Sequence, residues 1–251
     1  MPQFGLSEQL RDPEQGQGFL QISGVLSAMS YASVAQTIVN HVRAADARRI
    51  LSLDIETRVR GKDSFLTGET ILGVSAAWRE DGEARSEVLI LTEETDTAEA
   101  KLLRQLDNLL LQLRPLILVG YYLTHYDVPL LNLKARRMEN PLWGISDTIS
   151  RAHVLDLKDP VRFELASYDR CSPKSRSLDS VVEHPRFSHL PLMRTKRITR
   201  GLDRTEKGEA IYLLWKENRE KFELYSRGDA YDTLLIFEEL FPVSGVRRVL
   251  V

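Results

Sequence analysis

Arg49-Ile50-Leu51-Ser52-Leu53-Asp54-Ile55-Glu56-Thr57 decides how the rest of the chain is read. The run is short, apolar and strand-like, yet it closes on two acids. Side chains alternate across a strand, so Asp54 and Glu56 share one side of the sheet, opposite Leu53 and Ile55. Two neighbouring carboxylates repel unless solvent, a cation or a shared proton separates them. The plainer alternative is a strand end fraying into solvent with two surface acids.

Outward from this strand the chain is punctuated clearly. Glu69 to Trp78 and Glu87 to Leu91 read as two further strands, joined through Glu80-Asp81-Gly82, a hairpin signal. Leu102, Leu103, Leu106, Leu109, Leu110 and Leu113 recur at helical spacing, capped by Asp96 or Thr97 and stopped by Pro115. Leu116 to Gly120 reads as a fourth strand, Val128 to Met138 as a helix, and His153 to Leu157 as a fifth strand. A short helix follows Ser177, and residues 208 to 240 are helical. A three-strand antiparallel meander, then further parallel strands alternating with helices, predicts an α/β fold with a mixed central sheet. Residues 1–48 read as an N-terminal extension of loop plus a short helix over 28–45, and residues 49–251 as one domain.

Composition sets outer limits. In 251 residues, 34 Lys and Arg oppose 36 Asp and Glu, a formal net charge of −2, which excludes coating of nucleic acid by bulk charge. The distribution is uneven: residues 80–99 carry eight acids and one base, whereas residues 170–207 carry ten bases and four acids. A single cysteine, Cys171, closes no intrachain disulfide and builds no cysteine zinc site. No apolar run approaches the roughly 18 residues of a membrane span, and the first residues lack a positively charged secretory start. A cytoplasmic protein with no membrane partner is the expectation.

Two more acids stand where the pattern calls for apolar residues. Asp127 opens the helix after the fourth strand, as an N-cap with Pro129 in the first turn, as a metal ligand, or as both. In the closing helix, at about 100° per residue, Phe222, Tyr225, Asp229, Ile236 and Leu240 form one stripe. A charge on that stripe is costly unless it is paired or binds a cation. Tyr225 lies one turn before Asp229 on the same face. Asp232 lies close enough to that stripe to be a rival, and the plainer reading of Asp229 is a surface acid on a helix interrupted by Gly228. Together Asp54, Glu56, Asp127 and Asp229 form an oxygen-only donor set, the kind that hard cations such as Mg²⁺ or Mn²⁺ prefer. Such a set can hold two ions about 3.5–4 Å apart, an arrangement suited to in-line phosphoryl displacement.

Leu53-Asp54-Ile55-Glu56-Thr57, Gly120-Tyr121-Tyr122-Leu123-Thr124-His125-Tyr126-Asp127 and Tyr225-Ser226-Arg227-Gly228-Asp229 resemble, in order and spacing, the three exonuclease motifs of the DEDD superfamily. The tyrosine at 225 is similar to the DEDDy branch, and especially to the proofreading 3′–5′ exonuclease domain of family B DNA polymerases and its stand-alone relatives. The resemblance implies an RNase H-like fold, two Mg²⁺ or Mn²⁺ ions, and removal of nucleotides from DNA 3′ ends, single-stranded or frayed. It implies Asp54, Glu56, Asp127 and Asp229 as metal ligands, Tyr225 as the group that orients water, and Glu56 or Thr57 beside the terminal nucleotide. The chain departs from those relatives at Tyr122, where the middle motif usually has asparagine, and no polymerase module is expected within these 251 residues. An exoribonuclease of the same superfamily, or an inactivated fold that binds nucleic acid or assembles with partners, are the alternatives.

Tyr121, Tyr122 and Trp143 are candidates for stacking on bases, or else for the core. Arg194, Lys196 and Arg197, within the basic stretch, are candidates for contacts to the strand backbone, or else a solvated loop.

Overall fold

The computed structural model describes residues 33–44, 46–58, 66, 68–195, 199 and 201–242. Five strands form one sheet: β1 (Ile50–Arg58), β2 (Thr70–Glu80), β3 (Glu83–Ile90), β4 (Ile117–Gly120) and β5 (His153–Asp156). Their spatial order is β3-β2-β1-β4-β5. β1 pairs antiparallel with β2 and β2 with β3, while β1, β4 and β5 run parallel. This mixed sheet, flanked by helices, is the α/β architecture expected from the sequence and is that of an RNase H-like fold.

The β2–β3 hairpin turns on Asp81 and Gly82, both at positive φ (52° and 83°), the geometry whose twist matches two right-twisted strands. α2 (Asp96–Leu113) begins one residue earlier than its sequence signal suggests. Thr95 is the cap, accepting the Ala98 amide at 3.2 Å. Its leucines pack with Leu51, Leu53 and Ile55 on one face of the sheet. α3 (Asp127–Arg136) and α4 (Trp143–Arg151) lie on that side as well.

The opposite core gathers Ile50, Ile117, Val119 and Leu155 of the strands. Against them pack α5 (Lys158–Asp169), α6 (Leu178–Val182) and the later half of α8 (Arg219–Leu240). Helical residues 33–44, α1, join this core through Ala35, Val39 and Val42, each buried. The helix assigned to the N-terminal extension is therefore packed onto the sheet. α7 (Arg204–Glu217) precedes α8, and Trp215 of α7 donates its indole N–H to the Leu91 carbonyl at 2.9 Å. No described helix is long and apolar enough to cross a membrane.

This arrangement positions the acids of β1. Leu51, Leu53 and Ile55 occupy the α2 side, so Asp54 and Glu56 turn to the other face. α8 crosses the sheet against β1 to β4. Phe222 and Tyr225 of α8 belong to the first core and Ala230 onward to the second, so Asp229 lies where the helix passes between them.

Candidate metal centre

Carboxylate oxygens of Asp54, Glu56 and Asp229 lie within 4.8 Å of one another. Asp54 is half-buried, whereas Glu56 and Asp229 are buried, Asp229 to 1% exposure. Three carboxylates at such separations in poorly hydrated surroundings favour a bound cation or protonation over three bare charges. The donors are all oxygen, with no His or Cys among them, so the set fits a hard divalent cation.

A bulge interrupts the β1–β2 register between Glu56 and Thr57. Such irregularities bend a strand and re-aim the side chains around it. Thr57 is buried, and its hydroxyl lies 2.5 Å from the Tyr126 hydroxyl and 3.3 Å from Glu69 Oε2. The Tyr126 hydroxyl also donates to Glu69 Oε2. Glu69, 1% exposed, thus ties the end of β1 to the residue that precedes Asp127. Nothing in its sequence context, the first residue of an expected strand, marks this role.

Asp127, the fourth acid expected from the sequence, is not among the carboxylates gathered within 4.8 Å and stands beside β1 by a different contact. Tyr126, not Asp127, occupies the N-cap of α3 and makes no side-chain capping bond. Asp127 Oδ1 instead accepts the Ile55 amide at 3.0 Å, between the two acids of β1. Burial, then the negative charge of Asp54, pushes the Asp127 carboxyl well above the usual range, with a smaller push from Glu56, although the Ile55 N–H works in the opposite direction.

The two acids of α8 have separate fates. Asp229 joins Asp54 and Glu56. Asp232 accepts the backbone amides of Met193 (2.6 Å) and Arg194 (2.9 Å), fastening the preceding connection to the helix. Gly228 admits that connection, since a Cβ there would stand 1.9 Å from Thr195 Oγ1. Thr195 in turn donates to the Tyr225 carbonyl at 3.1 Å. The Tyr225 side chain is buried, with its hydroxyl 3.3 Å from Thr199 Oγ1.

The remaining candidates divide. Tyr122 is 41% exposed on the loop after β4. Tyr121 is half-buried and donates its hydroxyl to the Arg176 carbonyl. Trp143 is 68% exposed on α4, outside either core. Arg194 directs its guanidinium to backbone carbonyls of its own surroundings, among them Val182 (3.2 Å) and Leu192 (3.3 Å), so this cation shores up the loop. Lys196 and Arg197 lie outside the described residues.

The chain matches no known family model and no curated protein. Among solved structures, it is similar to the family B DNA polymerase from the hyperthermophilic archaeon Pyrobaculum calidifontis, with a TM-score of 0.56 and 23% sequence identity. The match covers 77% of this chain and 24% of the polymerase, so the chain spans about a quarter of that protein's length. At this identity the likeness speaks for the fold.

Proposed function

We propose that this protein is a divalent-cation-dependent 3′–5′ exonuclease of the DEDDy type, acting on single-stranded or frayed DNA ends. The observation that carries the proposal is the convergence of Asp54, Glu56 and Asp229 within 4.8 Å, from β1 and α8, with Asp127 bonded to the amide between the first two. The similarity to a DNA polymerase's fold supports the same reading.

Asp54, Glu56, Asp127 and Asp229 would hold the cations, Mg²⁺ or Mn²⁺. When bound, such ions supply positive charge against the phosphate and a water acidic enough to attack at neutral pH. Asp127, held by Ile55 N–H, keeps its carboxylate at a fixed place beside β1. Tyr225 is assigned the orientation of the attacking water, and the contact with Thr199 limits where its hydroxyl can go. Thr57 is assigned a contact with the terminal nucleotide, Tyr122 a contact with the substrate strand, and Lys196 and Arg197 contacts with the strand backbone.

A strand labelled at its 5′ end and incubated with Mn²⁺ or Mg²⁺ tests this directly. The expected products form a ladder shortened from the 3′ end, absent with EDTA and absent for Asp54→Ala. No metal-dependent product, or full activity in Asp54→Ala, would overturn the assignment. Cleavage of a matched RNA strand alone would replace DNA by RNA as the substrate.

A further inference from the structure

The loop from Gly120 to Asp127 carries a second constructed feature. Tyr122 sits at φ 76°, a left-handed conformation unusual for a bulky aromatic residue. Such strain persists only where surrounding contacts impose it, and it concentrates at functional sites. Here the contacts come from Asp156, the last residue of β5. Its Oδ1 accepts the amides of Tyr122 (2.9 Å) and Lys158 (3.0 Å), and its Oδ2 accepts the Thr124 amide (3.2 Å) and hydroxyl (2.8 Å). One carboxylate therefore fixes both the loop and the start of α5.

What it holds in place is a layered surface. The Tyr122 and His125 rings lie nearly parallel, with centroids 4.8 Å apart and planes inclined by 12°. The Lys158 ammonium stands 3.9 Å from the centroid of the Tyr122 ring. Tyr122 is 41% exposed and the His125 side chain 63% exposed. Aromatic rings kept in solvent by a strained, well-bonded loop forgo burial that a core position would give. The cluster stands at the carboxyl ends of β4 and β5. These strands are parallel to β1, so it shares an edge of the sheet with Glu56.

We infer that Tyr122, His125 and Lys158 form a strand-holding platform for single-stranded nucleic acid, on which a nucleobase extends the ring stack while the Lys158 ammonium meets a neighbouring phosphate. The inference rests on the exonuclease reading for its substrate class, but it concerns binding upstream of the acids and is separable from hydrolysis. Stacking accepts any base, so the platform confers affinity without sequence preference. Lys158 contributes charge, and hence salt dependence, without reading the sequence.

The test compares binding of an oligothymidylate of about a dozen nucleotides, its oligouridylate counterpart and an abasic strand of equal length, by anisotropy in EDTA. The double variant Tyr122→Ala/His125→Ala loses roughly tenfold in affinity for the base-bearing strands and nothing on the abasic one. Lys158→Ala weakens binding of all three and lowers the slope of log affinity against log salt by about one. Tyr122→Phe, which keeps the ring, binds like wild type. A response on the uridylate strand alone upholds the platform and makes its strand RNA. Base-bearing strands that bind the double variant within about twofold of wild type, or an equal loss on the abasic strand, overturn the platform. Hydrolysis of the same strands with Mn²⁺ is scored separately: cleavage without the stacking effect removes the platform and keeps the nuclease, while the stacking effect without cleavage does the reverse.

Discussion

On one face of the sheet, along α2, the buried acids Glu99 and Asp107 accept backbone amides; on the other, between β1 and α8, Asp54, Glu56 and Asp229 converge within 4.8 Å of one another. Glu99 accepts the Ile71 N–H at 2.8 Å and pairs with Lys134 at 2.7 Å, and Asp107 accepts the Ile145 N–H at 2.8 Å. Both are 8% exposed, much like Glu56 at 7%. Burial therefore does not separate the two regions; the convergence of three carboxylates marks the second. A carboxylate with amide or ammonium donors is a structural joint, stabilising through hydrogen bonds to a charged group. Carboxylates gathered with one another repel, and a bound cation or a proton relieves that repulsion.

The contrast is most sharply broken or upheld by paired truncations. Asp54→Ala or Asp229→Ala lowers hydrolysis by on the order of 10²–10³ or more, as expected for lost electrostatic stabilisation. The melting temperature in EDTA does not fall, because repulsion within the cluster is relieved. Thermal melts beside the strand-cleavage assay check both halves. Asp232→Ala, three positions along the same helix, behaves in the opposite way. It deprives Met193 and Arg194 of their acceptor, costs about 3 kcal/mol in urea unfolding, and speeds hydrogen exchange of those two amides. Asp107→Ala costs about 2 kcal/mol by leaving the Ile145 amide without its bond, while cleavage per folded molecule is unchanged.

The smallest effect lies in pH. Burial and Asp54 raise the Asp127 carboxyl above its unfolded value, so the metal-free folded state binds the extra proton between those two values. Stability is therefore lost as pH rises through that window and stays reduced above the folded value. Asp127→Asn keeps an oxygen for the Ile55 N–H and removes the charge. In EDTA at about pH 8 it melts several degrees above wild type, and the gap closes as pH falls toward about 4. A gap that widens on acidification would reverse the assigned direction.

The sheet was legible because its strands carry apolar runs bounded by turn residues, and α2 because its leucines keep helical spacing. α4 and α5 gave no such signal. Trp143-Gly144-Ile145-Ser146-Asp147-Thr148-Ile149-Ser150-Arg151 mixes glycine with β-branched residues, and α5 has Pro160 in its first turn and takes its amide partner from Asp156 before it. Neither helix has a side-chain bond from its N-cap residue. In the site, alternation along β1 anticipated that Asp54 and Glu56 share a side. Which of Asp229 and Asp232 joins them depends on where residues 192–195 pass, and that is a tertiary fact. Arg194 illustrates the same limit: an arginine in a basic stretch has the same letters whether it meets a phosphate or its own loop's carbonyls. Glu69 was hidden for a related reason, since its partners Thr57 and Tyr126 are distant in sequence.

Whether the carboxylates of β1 and α8 form a cation site is decided by calorimetric titration of the metal-free protein with Mn²⁺. Wild type and Asp232→Ala bind Mn²⁺ saturably, and Asp229→Ala loses that binding with its fold intact by circular dichroism. Binding that survives Asp229→Ala unchanged, or a wild-type protein that takes up no Mn²⁺, would contradict that assignment.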